Sequence, residues 1–511
     1  MSVLDGDLAA IRPKHPSPTL SGPGRRAIAA VPTAGARVTR PTATSPSVST
    51  RRRHTGSLAA GTMSGPEVMA QSVAGIAPSA VMATGPALVA GSAGAGALYA
   101  YVAATLVLLL VGWCVTQFAR RHNSAGSLYE WIGMAFGKGT GFLGGTGLVI
   151  GYVGIAVASL AGAVLFLGSL LGSAGVDVTS TSASLAMYVV LGALAALAMV
   201  RGIQLSTRVG LVLEVLSIGA IVGVVVVVLA QSGLSSAPWH PAGGISASGV
   251  ALGMVLAILG FVGFESAASL GVEARDPRRM VPRAVIGSAA LAGLLYLLSA
   301  YTQLIGFDGD IEALSTSASA LNELAGNAGV APLGHVIDAG ATLSFFACVT
   351  GSLNAAARTV FSMGRDDLLG GKLGSVHDRH RTPHVALYAL TGLAMAVPVV
   401  LTLTGLTALE ILGYVGTVGT FGYMLAYLLV SVATPVWLRR VGAPSTAAVV
   451  VGGLAALGML YVFYRSVWPV PAWPYNVLPY VFLALLVPAL VRYTVVRRRR
   501  VLDLDAPTGP W

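Results

Sequence analysis

Residues 259–268 read Leu-Gly-Phe-Val-Gly-Phe-Glu-Ser-Ala-Ala, inside an apolar run at 249–270. A helix needs about 20 mostly apolar residues to cross a bilayer, so this run is long enough. It is also interrupted. Gly260 and Gly263 fall mid-span, and Glu265 puts an ionisable group at membrane depth. Such groups are costly in lipid and mark functional positions. This span therefore carries more than an anchor.

Working outward, comparable apolar runs recur along the chain, for example at 98–117 and 209–229. The composition is 55% hydrophobic and 10% charged, with a mean hydropathy of +0.78. That places the chain among all-α integral membrane proteins. About twelve transmembrane helices are expected, near 67–91, 96–119, 140–171, 183–201, 208–231, 248–272, 283–306, 333–362, 384–404, 408–438, 445–464 and 474–496. Short amphipathic segments are expected at 127–136 and 310–327.

The net charge of +11 is concentrated in the tails. Residues 1–57 hold nine basic and two acidic residues, and 492–511 hold five Arg and two Asp. The remaining 17 basic and 16 acidic residues nearly balance. Basic tails suit an anionic leaflet, whereas nucleic-acid binding needs a basic face on a folded module, so no nucleic-acid partner is expected. Arg120, Arg121, Lys138, Arg278, Arg279, Arg365, Arg439 and Arg440 fall on one side of the predicted spans. Asp308, Asp310, Glu312 and Glu323 fall on the other, where Arg465 is the one basic residue. The positive-inside rule then puts both termini in the cytoplasm. Glu67 and Glu410, near span ends, read as interfacial, and Cys114 and Cys348 as small buried hydrophobes. No metal site and no cofactor is expected. No H-E-x-x-H helix or Walker A loop is present, so the chain does not read as an enzyme.

The first ten spans fall into two sets of five, at about 67–231 and 248–438. Five is odd, so the second set starts from the opposite face, as in the inverted repeats of secondary transporters. The span equivalent to 248–272 is then the first. It reads Gln-Ser-Val-Ala-Gly-Ile-Ala-Pro-Ser-Ala over 71–80, with Gly75 and Pro78 mid-span. Pro removes a backbone donor and clashes with the preceding turn. Interrupted spans at matching places in two halves point to a binding site near the bilayer midplane.

Phe261-Val-Gly-Phe-Glu265, followed by Glu273, Asp276-Pro277, Arg279, Pro282 and Ala284, resembles a signature of amino acid permeases of the amino acid–polyamine–organocation superfamily. Ala125-Gly126, Tyr129, Gly137 and Gly141-Phe142 resemble a second family segment. Arg358, Phe361, Met363, Arg365-Asp366 and Leu369 resemble a third. The likeness covers about 58–440. Asn123, Ser127, Asp276, Asp367 and Gly370 depart from the usual loop residues. The fifth span lacks the Lys common in proton-coupled relatives and has Glu214, with Ser217 near where that Lys would fall.

The resemblance implies the leucine-transporter-like fold: two inverted five-helix repeats and two further helices at 441–496, with a cytoplasmic tail at 497–511. It implies that backbone at Gly75, Ile76, Ala77, Pro78 and Ser79 holds the substrate carboxylate. Carbonyls over 260–263, from Gly260 and Phe261 to Gly263, would hold its amine, and Phe261 or Phe264 would close over it. Apolar Ile76 and Ala77 suggest a neutral side chain. Glu265 is a candidate proton carrier. Glu214 and Arg358, opposite charges at similar depth, are expected to pair and help shut the inner gate.

The function expected is a multi-pass carrier in the cell membrane that moves amino acids by alternating access, with proton coupling or by exchange. The alternatives are an amine or polyamine transporter of the same fold and a non-transporting nutrient sensor. Residues 1–57 lack the apolar content to pack and read as a disordered basic tail, either a regulatory arm or the product of a start codon placed ahead of Met63. Deleting residues 1–57 is expected to leave membrane insertion and substrate uptake near wild type. Uptake per inserted molecule, measured for the truncated and full chains, checks this.

Overall fold

The computed structural model describes residues 60–502, apart from 179, 202, 242, 243, 318, 367, 371 and 378–381. The tail at 1–57 and the last residues, 503–511, lie outside the described residues. All regular structure among the described residues is helical, and the one β-bridge joins Met63 to Ala274.

The first expected span is two helices, α1 (Gly65–Ile76) and α2 (Pro78–Ala93), joined at Ala77. A 3-10 turn at Gly94–Gly96 leads to α3 (Ala97–Ala119). The short α4 (Leu128–Phe136) precedes α5 (Lys138–Ser173), α6 (Thr181–Arg201) and α7 (Ile203–Ser232). The second set matches it element by element. α8 (Ala247–Phe261) is followed by a 3-10 turn at Ser266–Leu270, then by α9 (Pro277–Gly306). The short α10 (Ile311–Thr316) and α11 (Ala320–Asn327) take the place of α4. α12 (Ala331–Arg365), α13 (His384–Leu403) and α14 (Ala408–Arg440) complete the set, and α15 (Thr446–Arg465) and α16 (Leu478–Leu502) stand outside it. Eleven stretches of the described residues are long and apolar enough to cross a membrane. The first, Gly65–Ala119, is 55 residues long and is interrupted at Gly94–Gly96, so it holds two of the expected spans.

Local chemistry explains the helix ends. Ser64 N and Oγ both donate to the Glu67 carboxylate, and Thr407 N and Oγ1 donate to Glu410. Glu67 and Glu410 are thus third residues of capping boxes, a more specific role than interfacial charge. The first break falls at Ala77, not at Gly75. A residue before proline is pushed out of the right-handed helical region, and Ala77 adopts φ 51°. Pro78 then starts α2, where its missing N–H costs nothing.

α5 is the spine of the bundle. At 36 residues it is about 54 Å long, well beyond a hydrocarbon core of about 30 Å. It packs along both α12 and α14. Its seam with α14 has no room for side chains: a Cβ on Gly154 would stand 2.7 Å from Gly419 Cα, and one on Gly422 would stand 2.3 Å from the Gly147 carbonyl. Small residues at such seams let backbones approach in lipid, where no hydrophobic drive presses helices together. Gly154→Ala is expected to cost about 1–3 kcal/mol by overpacking. Gly453→Ala in α15, which meets open space, is the control and should leave stability unchanged or slightly raised. Thermal unfolding of the two variants in detergent measures the difference.

Candidate functional site

The two breaks meet. A Cβ on Gly75 would stand 2.7 Å from the Gly263 carbonyl oxygen, and one on Gly263 would stand 2.6 Å from the Gly75 oxygen. Glycine is required at Gly263 for a second reason, since its φ is +97°. Interrupted backbone in lipid exposes polar groups that need partners. Here each half supplies them to the other. Ser72 Oγ donates to Phe264 O at 2.6 Å, and Ser266 Oγ donates to Gln71 O at 3.0 Å. Cys348 Sγ of α12 donates to Gly75 O at 3.2 Å, and Gln71 Nε2 donates to Gly351 O at 3.0 Å. Tyr296 OH of α9 donates to Gly260 O at 2.7 Å.

Beside this crossing lies a cavity of about 50 Å³, lined by Gly75, Ile76, Ala77 and Gly260 together with Val81, Ile155, Leu259, Phe345 and Cys348. No ionisable carboxylate or base is on its wall. Ligand pockets usually enclose some hundreds of Å³, so this cavity is far smaller than a typical ligand pocket. A larger cavity, about 1000 Å³, lies among the basic loops and is lined by His122, Lys138, Arg365, Asp366 and Arg440. No residue of either break lines it, so it is a separate feature. It does bring Lys138, Arg365 and Arg440, cations from three parts of the chain, to one side of the bundle.

Phe261 and Phe264 do not line the small cavity. Phe261 packs edge-on against Tyr296 with ring centroids 5.0 Å apart, and Phe264 packs against Tyr427 at 5.4 Å. Phe345 and Val262 occupy the wall instead. The resemblance assigned the amine to carbonyls over 260–263, but Gly260 O is taken by Tyr296 and Gly263 O by Ser266 N at 2.9 Å. Pro78 and Ser79 sit beyond the cavity wall. Ser79 N donates to Glu214 Oε1 at 2.7 Å.

Glu265, Asp338, Arg358 and Glu214 each have defined partners. Glu265 accepts from Tyr152 OH of α5 at 2.8 Å and from Tyr427 OH of α14. Asp338 of α12 accepts from Ser169, Ser319 and Asn322. The expected Glu214–Arg358 pair is not formed. Arg358 is 2% exposed and binds Glu273 with two hydrogen bonds, Nε to Oε2 at 2.7 Å and Nη2 to Oε1 at 3.0 Å. The planar guanidinium fork matches a carboxylate that presents both oxygens, and Glu273 does so while Glu214 is already engaged. The Glu273 backbone belongs to a strap. Met63 N donates to Glu273 O at 2.9 Å, and Arg275 N donates to Met63 O at 3.0 Å. The segment ahead of α1 is thereby tied to the link between α8 and α9, and Arg358 locks that link to α12. Glu273 was visible only as part of a family motif, and Tyr152, Tyr427 and Phe345 only as span residues. A buried base needing a carboxylate was the one signal that could have found Glu273.

Paired broken helices that cross at glycines, with an apolar cavity beside the crossing, define the transporter class of membrane protein. Residues 66–489 match the amino acid permease family, and the chain belongs to it. The chain is 27% identical over 424 residues to the branched-chain amino acid permease of Bacillus subtilis (strain 168), covering 76% of this chain and 85% of that protein. It is 28% identical over 323 residues to the branched-chain amino acid permease of Lactococcus lactis subsp. cremoris (strain MG1363), covering 60% and 68%. It is 27% identical over 328 residues to chloroplastic cationic amino acid transporter 7 of Arabidopsis thaliana, covering 61% and 55%. Among solved structures, the outward-open, substrate-bound state of a Na+-coupled sialic acid symporter superposes with a TM-score of 0.50 at 13% identity, covering 80% of this chain and 90% of that one. That likeness shows the fold. The protein is a multi-pass membrane amino acid transporter.

Removing one partner of a buried ion pair costs about 3–5 kcal/mol, because the other charge is left uncompensated. Arg358→Gln and Glu273→Gln are each expected to destabilise the chain on that scale, and the double variant to be more stable than either single one. Thermal unfolding over the double-mutant cycle measures the coupling. Glu214→Gln combined with Arg358→Gln should show no such coupling.

Proposed function

We propose that this transporter carries amino acids with neutral, aliphatic side chains, by alternating access around the Gly75–Gly263 crossing, with a proton gradient or exchange as the driving force. The observation that carries this reading is the cavity at the crossing. Ile76, Val81, Ile155, Leu259 and Phe345 surround it, and no charged side chain is there to meet a cationic or anionic one. A buried unpaired charge is costly, so an arginine or glutamate side chain would be rejected by this wall. Two of the relatives are named branched-chain amino acid permeases, which fits the same chemistry.

Transport requires the basic side to open. The groups that hold it are Glu273 and Arg358, together with the Met63–Ala274 bridge, so gating falls to them. Glu265 is anchored by two tyrosines from α5 and α14, and the link it makes between the α8 break and the long helices suits a positioning role.

The test is uptake into proteoliposomes of labelled leucine, isoleucine and valine against arginine, glutamate and putrescine. The aliphatic set is expected to be taken up. Putrescine or arginine as the preferred substrate would replace this reading with that of an amine carrier, and saturable binding without flux would make the chain a sensor. Phe345→Ala enlarges the cavity, and one or two methylenes in an apolar pocket are worth about 1–3 kcal/mol. Uptake of phenylalanine relative to valine is therefore expected to rise roughly tenfold in that variant.

A further inference from the structure

The first turn of α2 has few free backbone donors. Pro78 has no N–H, and Val81 N is already bonded to Ala77 O at 3.0 Å. The amides of Ser79 and Ala80 are left to be satisfied from outside the helix. Ser79 N is held by Glu214 Oε1 at 2.7 Å, and Glu214 is only 5% exposed. The hydroxyls of Ser79 and Ser344 lie beside that carboxylate, wholly or almost wholly buried, and neither makes a well-formed hydrogen bond. These two hydroxyls are further donors at the helix terminus, beside the carboxylate. The cavity wall reaches Ala77, one residue before this turn. An amino acid seated there with its side chain among the apolar residues would direct its carboxylate at the donors that Glu214 occupies.

Two carboxylates side by side in a low-dielectric site cannot both stay ionised, and such pairs hold a proton between them. Among the described residues, no base lies against Glu214. Arg358 is committed to Glu273. The titratable groups that face Glu214 are Tyr296 of α9 and Cys348 of α12. Both donate to backbone carbonyls and are neutral in their ordinary state. Asp338, also on α12, is held by Ser169, Ser319 and Asn322.

We infer that Glu214 is a built-in competitor for the substrate carboxylate, so that each amino acid binds at the α2 terminus only together with one proton on Glu214. The inference rests on the amino acid reading given above and names its coupling residue. The proton is taken from the side the substrate comes from. It forms an O–H bond on the Glu214 carboxyl and is released on the other side when the substrate leaves and Glu214 again accepts from Ser79 N.

The test uses the full chain, purified in detergent and then in proteoliposomes, with leucine and its decarboxylated analogue 3-methylbutylamine as probes. Leucine affinity is expected to fall about tenfold per pH unit above the point where free Glu214 ionises, with about one proton taken up per leucine bound in a weakly buffered dye assay. The amine, having no carboxylate, should show no such fall up to pH 9. In Glu214→Gln leucine binding should be flat with pH, and an inward proton gradient should no longer drive accumulation. Glu265→Gln should keep the wild-type slope. If the slope persists in Glu214→Gln, vanishes in Glu265→Gln, or is equal for leucine and the amine, the inference is wrong. Wild-type binding that is flat with pH or driven by Na+ also overturns it, while leaving the amino acid reading intact. Absence of leucine binding at every pH removes both. The proton count and the amine comparison use wild-type protein, so they decide the matter even if Glu214→Gln fails to fold.

Discussion

A helix interrupted inside a membrane leaves backbone donors and acceptors with no water to meet them, and the rest of this structure depends on how that debt is met. One interrupted helix alone would need a dedicated set of side chains. Two, crossing at glycines, satisfy much of each other's need. Ser72 reaches Phe264 O, Ser266 reaches Gln71 O, and α12 and α9 add Cys348 and Tyr296. The repeat is thus a physical solution as well as a topological one: each half is the partner that the other half's break requires.

The second constraint is charge. A membrane interior tolerates an ionised group only with close partners, and the structure sorts its buried charges accordingly. Arg358 and Glu273 neutralise each other at the basic side. Glu265 is held by phenols and Asp338 by hydroxyls and an amide. Glu214 differs in having a main-chain amide as its principal partner, at the end of a broken helix. That amide is a group a ligand can also use, which sets Glu214 apart from carboxylates whose partners serve structure alone.

The sequence was informative where the signal was local. Span lengths, the twofold set of five and the mid-span glycines followed from hydropathy and backbone sterics, and all appear in the fold. The break at Ala77 is equally local, since Pro78 acts on the residue before it and so sets the break two residues after Gly75. Long-range pairing was not legible. Arg358 needed a carboxylate at its own depth, and depth alone favoured Glu214. Glu273 lay in a linking segment, which hydropathy reads as solvated, yet it is 6% exposed. The two phenylalanines rest on the resemblance alone; in the structure they pack against Tyr296 and Tyr427 and leave the cavity wall to Val262 and Phe345.

The contact between Gly75 and Gly263 leaves no clearance in either direction. Two loosely apposed helices could tilt independently, and some fraction of molecules would then be open to both compartments at once. Such a pore would short-circuit any gradient the cell maintains. Where backbone touches backbone, a tilt of either helix must displace the other. In a carrier that alternates its access as proposed, a pair meshed in this way would act as an escapement, releasing one side only as it engages the other.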